Sequence, residues 1–264
     1  YLELAVCYRV LIRTQDTQGA IHESHDSARR LVDLLRRAAA LSPQISEPEM
    51  FWRLELVPKA PPASPVVPDV AIGISEALIN VGRLDVAVTA CREIAAESPN
   101  DAAAHYRLAH VLELSGQFSE AIAHLERAVA LREDFADAHN GLAWLLSTCP
   151  EQQLRDAERA QVAATQAVEL ISNSGAFRTV LGAAHYRAGE FAAANNTLQD
   201  ALELDAAKGP ALFVLAMAQW RLGDEQAAQE YMQQAATWTA ENRPKDKTLI
   251  RLRGEASQLL GATE

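Results

Sequence analysis

Seven histidines and three cysteines are the residues of this chain whose chemistry would stand out if their spacing brought them together. His22 and His25 are three apart with Asp26 beside them, the spacing at which one helix face can present ligands to a metal. The first turn of a helix is also where solvated polar residues gather, so no metal site is expected. Cys7, Cys91 and Cys149 lie far apart and form no CxxC pair. A sparse, odd count points to a reducing, cytoplasmic setting and away from a disulfide framework or structural zinc. Cys149, just before Pro150, is a candidate reactive thiol, but no base stands near it in sequence. Glycine-rich phosphate loops, GxSxG, HExxH and the HRD and DFG motifs of protein kinases are all missing. No catalytic residue and no cofactor are expected of this segment.

One spacing does recur. His105 and His139 are 34 apart, and so are Gly82 and Gly116, and Gly189 and Gly223. Gly116 and Gly189 are 73 apart, twice 34 plus five. An alanine column, Ala87, Ala121, Ala160, Ala194 and Ala228, shows the same period with the same five-residue excess in its middle. Self-similarity at such a period is the mark of a repeat architecture. Each period reads as two helices. Ala104 to Ser115 carries Leu108, Val111 and Leu112 on one face, Gly116 ends it, and Phe118 to Leu131 follows with Ala121, Ile122, Leu125, Ala128 and Val129 at helical spacing. The connector is short enough to force an antiparallel hairpin, and one hairpin cannot bury both apolar faces, so neighbours must stack.

These residues resemble the tetratricopeptide repeat (TPR). The match runs through Leu108, Ala109, Leu112, Gly116, Ala121, Leu125 and Ala128, then Leu181, Gly182, Gly189, Ala194, Leu198 and Ala201. It continues through Leu215, Ala216, Gly223, Ala228, Met232 and Ala235. A looser first unit has Ile74, Ser75, Leu78, Gly82, Ala87 and Pro99. The third unit keeps Leu142, Ala143 and Leu146 but has Cys149-Pro150 where glycine belongs, and five extra residues before Ala160; a longer surface loop is expected from Pro150 to Arg155. The resemblance implies an all-α solenoid of antiparallel helix pairs, wound as a right-handed superhelix. Its five units would span about 68–101, 102–135, 136–174, 175–208 and 209–240, within 70–240.

Residues 241–264 are expected to form a capping helix whose apolar stripe is Leu249, Ile250, Leu252, Ala256, Leu259 and Leu260. Upstream, seven of the 11 prolines fall between Pro43 and Pro68, so 42–69 reads as an extended spacer. Residues 1–41 read as a further TPR-like hairpin.

In the TPR resemblance, inner-helix residues one turn apart line a groove that accepts a peptide or helix. Those positions are Tyr106, His110 and Glu113; Asn140, Trp144 and Ser147; Thr179, Ala183 and Tyr186; Phe213, Met217 and Trp220. Arg187 and Arg221 follow at the groove edge. Aromatics make up only 6% of the chain, so Trp144, Tyr186 and Trp220 are notable as interface anchors. The same rings could instead pack between adjacent repeats. The groove is expected to hold a short apolar segment bearing an acidic residue. TPR domains that clamp a chaperone's C-terminal carboxylate use Lys and Asn where this chain has Ile72, Glu76, Tyr106 and His110, so that partner is not expected.

The stretches beginning at Asn140, Val180 and Leu212 also resemble the C-terminal TPR regions of large bacterial proteins that often carry a serine/threonine kinase domain. They suggest either a scaffold for protein or peptide partners or a regulatory or substrate-presenting C-terminal tail of such a kinase. A scaffold in envelope assembly or secretion is a third option. With 24 Lys and Arg against 35 Asp and Glu, the net charge of -11 disfavours nucleic acid. No apolar run is long enough for membrane insertion.

Overall fold

The computed structural model describes residues 84–204 and 208–261. The expected N-terminal hairpin, the proline-rich spacer, the first helix of the first unit and His22 and His25 lie outside the described residues. Within them ten α-helices follow one another: α1 Leu84–Glu97, α2 Ala102–Leu114, α3 Phe118–Leu131, α4 Ala136–Thr148, α5 Ala157–Leu170, α6 Gly175–Arg187, α7 Phe191–Glu203, α8 Lys208–Leu222, α9 Glu225–Asn242 and α10 Lys247–Leu260. A short 3-10 turn, Gln152–Leu154, lies between α4 and α5. No strand occurs among the described residues. The architecture is the all-helical solenoid that the repeat predicted.

The described residues group into two compact parts, divided between Gln117 and Phe118. In the first part α1 packs against α2, joined by a connector in which Asp101 accepts a hydrogen bond from the Ala103 backbone and so caps α2. His105 is buried, with Nε2 3.1 Å from the Pro99 carbonyl oxygen. In the second part His139, one period later, is equally buried and has Nε2 2.9 Å from the Glu133 carbonyl. Both histidines thus tie the loop entering their helix to its first turn. They are structural, as the bulky position of the repeat implies.

The second part stacks α3 on α4, and then the pairs α4–α5, α6–α7 and α8–α9. Helix starts are set by side-chain caps at Asp156, Ser174, Asp224 and Asp246. Helix ends divide into two kinds. At Gly189 (φ 80°) the chain turns back, with Gly189 N–H donating to the Tyr186 carbonyl and Glu190 N–H to that of His185. Gly223 repeats the arrangement through Trp220 and Gln219. These left-handed closures satisfy the orphan carbonyls of α6 and α8 from within. The end of α4 cannot do this. Cys149 has φ -48° and ψ 135°, and Pro150 has no N–H to offer.

The columns of small residues explain how closely the pairs approach. Ala160, Ala194 and Ala228 have no exposed surface, and a Cβ placed on Gly182 would fall onto Cγ of Leu198. Helix α4 packs on α6 and α6 on α8, while α5, α7 and α9 do not pack on one another to that extent. Such asymmetry belongs to a curved stack with α4, α6 and α8 on its inner side. Helix α8 is apolar all round through its middle: Ala211 through Ala218 are eight consecutive buried residues. A helix with no polar face must be covered on every side. What covers its remaining face is α10.

Candidate functional site

The site grows from the open end of α4. The backbone carbonyl of Leu146 accepts from Asp156 N–H, which leaves the last three carbonyls, those of Ser147, Thr148 and Cys149. Each takes a different arginine. Arg187 Nε, at the end of α6, donates to Ser147 O at 2.7 Å. Arg251 Nη1, on α10, donates to Thr148 O. Arg155 Nε, in the loop carrying the five extra residues, donates to Cys149 O at 2.6 Å. Cationic donors are what the negative end of a helix dipole favours. The missing glycine and the inserted loop are therefore one device: the first opens the helix end and the second supplies part of its cap.

Glu255 of α10 lies between the guanidinium groups. Arg187 grips it with two nitrogens, Nη2 to Oε2 at 2.8 Å and Nη1 to Oε1, and Arg155 Nη1 lies 3.8 Å from Oε1. These side chains are only 16–26% exposed. Burial by itself would push the Glu255 carboxyl up, but the hydrogen bond from Arg187 and the charges of Arg187, Arg155 and Arg251 outweigh it and hold the carboxyl below its ordinary value. Burial and mutual repulsion lower the pKa values of Arg155 and Arg251. The Cys149 thiol beside them is fully buried, and burial pushes its pKa up. It is a poor nucleophile, so the candidate reactive thiol is corrected to a core residue.

Beside this polar cluster is an apolar seat. Leu249, Leu252 and Ala256 of α10 are buried in one cluster with Leu212, Phe213 and Met217 of α8, and Trp144, Trp238 and Leu259 pack against it. The arrangement is a helix held against the inner helices by an apolar stripe and a carboxylate. Among the described residues no three His, Cys, Asp or Glu side chains converge as a metal site would require, and no helix is long and apolar enough to cross a membrane.

Two tetratricopeptide-repeat family models match, one over residues 78–145 and one over 209–242. Both stretches carry tetratricopeptide repeats. Solved structures agree on the fold. A thermophilic TPR protein of Thermus thermophilus, TTC0263, is 21% identical, with a TM-score of 0.54 over 73% of this chain and 98% of that one. MamA of Desulfovibrio magneticus RS-1 (residues 41 to the end) is 17% identical, with a TM-score of 0.55 over 69% of this chain and 99% of that one. A chain of the APC/C hetero-tetramer Cut9–Hcn1 is 15% identical, with a TM-score of 0.56 over 72% of this chain and 42% of that one. No curated protein sequence matches the chain.

Placed on the TPR helices, the expected groove residues fall into three groups. Tyr106 (half-buried) and His110 (exposed) lie on α2 in the first part. In the second part Asn140, Trp144 and Trp220 are half-buried and Arg221 is exposed, so these keep accessible surface on α4 and α8. Thr179, Tyr186, Phe213 and Met217 are buried. Thr179 Oγ1 bonds back to the Gly175 carbonyl, and Tyr186 packs on Phe191 with ring centroids 5.6 Å apart. Phe213 and Met217 have no exposed surface because they are among the residues under α10. The expectation that they face an open groove is corrected: that part of the inner face is occupied. Arg187 is engaged with Glu255 of α10. Arg155, Arg251 and Glu255 were not anticipated as site residues. The polar-free run from Ala211 to Ala218 was the signal that something must cover α8.

Proposed function

We propose that this chain is a protein-interaction module that holds a peptide or helix against its inner TPR helices, with no catalysis of its own. One observation carries the reading: the inner helices already seat a helix, through an apolar patch and a carboxylate clamped by arginines. That combination fixes both position and direction, since the apolar contacts are undirected and the two-pronged Arg–carboxylate pair is not. Trp144 on α4 and Trp220 on α8 supply partly exposed aromatic area, of the kind that anchors interfaces. Buried thiols at Cys91 and Cys149 suit a reducing compartment such as the cytoplasm.

The test is selection of helical peptides from a displayed library against the full chain, followed by affinity measurement on Trp144→Ala/Trp220→Ala. Circular dichroism first establishes that the variant keeps its helix content. A loss of affinity of about tenfold or more is expected for such anchors. Equal affinity of a folded double variant, or no selected binder at all, would overturn the proposal.

A further inference from the structure

The contacts of α10 distinguish it from a helix that merely closes a stack. It covers α8 and α9, but Arg251 reaches Thr148, 103 residues earlier at the end of α4, and Glu255 reaches Arg187 at the end of α6. The helix therefore lies along α8 and reaches the C-terminal ends of α4 and α6. Its attachment to α9 is slight: Arg243, Pro244, Lys245 and Asp246 form the whole connector, and the first three are exposed. Within α10 the buried residues Leu249, Leu252 and Ala256 stand three and four apart, and the opposite face, with Ile250, Arg253 and Gly254, is exposed. This is the pattern of an amphipathic ligand helix.

Charge complementarity says what else fits the seat. Remove α10, and Arg155 and Arg187 are left beside an apolar floor with no carboxylate between them. The carbonyl of Thr148 is left needing a donor. A replacement must then supply apolar residues at positions i, i+3 and i+7, a basic residue at i+2 and an acidic one at i+6. In α10 these are Leu249, Leu252, Ala256, Arg251 and Glu255.

We propose that the seat of α10 is a docking site for an amphipathic helix of another protein bearing this pattern, and that α10 is its displaceable occupant in cis. The inference rests on the interaction-module reading and names the partner of the same surface. A partner lacking the acidic residue leaves two guanidinium groups without their carboxylate, which costs more than the lost attraction alone.

The experiment introduces a protease site between Pro244 and Lys245 of the full chain and cuts it. The probe is a fluorescent synthetic peptide of residues 245–261. The peptide should replace the cut fragment saturably and should bind the uncut chain about 100-fold more weakly, because the tethered helix competes at high local concentration. A peptide carrying Glu255→Lys should bind about tenfold more weakly or worse. A second, uncut variant, Glu255→Lys in the chain itself, weakens only the occupant and should raise uptake of the unaltered peptide about tenfold. A cut chain that retains its fragment against excess peptide, or that loses its helical signal when the fragment leaves, would refute the inference. So would a Glu255→Lys chain whose peptide uptake does not rise, or a stable dimer that excludes the peptide. If library-selected peptides depend on Trp144 and Trp220 yet neither compete with the 245–261 peptide nor gain affinity on cutting, this inference falls while the interaction-module reading stands.

Discussion

Arg187 and Glu255 stand 68 positions apart and meet through two parallel hydrogen bonds, Nη1 to Oε1 and Nη2 to Oε2. The same arginine also caps Ser147 through Nε, so one guanidinium joins the ends of α4 and α6 to the middle of α10. Little in the chain between them requires this. It is a tertiary bond in the strict sense, and it sets the orientation of the last helix.

Breaking that bond from either side should be costly and unequal. Arg187→Ala removes the clamp and a carbonyl cap together and should lower stability by about 2–4 kcal/mol, since charge-assisted bonds of part-buried groups are worth about 1.5–3 kcal/mol each. Glu255→Gln keeps the shape and one acceptor and should cost about 1–2 kcal/mol. Urea unfolding followed by circular dichroism checks the order; a Glu255→Gln chain less stable than Arg187→Ala would contradict the assignment.

Acid should release the clamp in a definite direction. The folded-state pKa of Glu255 lies below its unfolded value, so its contribution is complete above the unfolded carboxylate pKa of about 4.3 and fades as pH falls through the lower, folded value. The stability gap between the wild-type chain and Glu255→Gln should hold constant from about pH 7 to 5 and narrow as the pH falls below about 4.3. A gap that widened on acidification would mean that burial, not the arginines, dominates this carboxyl.

Gly182 tests close packing. Its Cβ would sit 2.7 Å from Cδ2 of Leu198 and nearer still to Cγ, which cannot swing away as a chain end can. Gly182→Ala should cost about 1–3 kcal/mol by overpacking, and the cost should largely vanish in a Leu198→Ala background. Additivity of the two changes in a double-mutant cycle would show that the helices part instead.

Two other glycines should respond with opposite signs. Gly189 has open space around it but φ of 80°, so Gly189→Ala meets only backbone strain, about 1–2 kcal/mol. Gly254 is in the exposed middle of α10 with nothing within 4 Å of an added Cβ. Gly254→Ala should stabilise the chain by about 0.5–1 kcal/mol through helix propensity and a stiffer unfolded state. Thermal melts of the two variants should therefore shift apart.

The repeat was legible because its marks are local. A glycine at 34-residue spacing ends a helix wherever it sits, and Gly116, Gly189 and Gly223 all have φ between 80° and 88°. Small residues in a column declare a helix crossing, as Ala160, Ala194 and Ala228 do. The apolar stripe of α10 was equally plain. Its address was not, since a stripe states that a face is buried and is silent on what buries it. The arginine cluster was hidden for a related reason. Arg155, Arg187, Arg251 and Glu255 come from two helices and a loop, with no common spacing, and only folding assembles them around the end of a third helix. Tyr186, Phe213 and Met217 were read as groove residues by their register. Register fixes direction, and it does not tell whether that direction is vacant.

The four-residue connector between α9 and α10 has a consequence for thresholds. A helix tied on so short a leash revisits its berth as though present at roughly millimolar concentration. Any rival of equal intrinsic strength, arriving from dilute solution, loses that contest. Only a rival that grips far harder, or one that is itself delivered to the spot by a neighbouring attachment, wins it. A few residues of slack thus act as a filter against casual encounters.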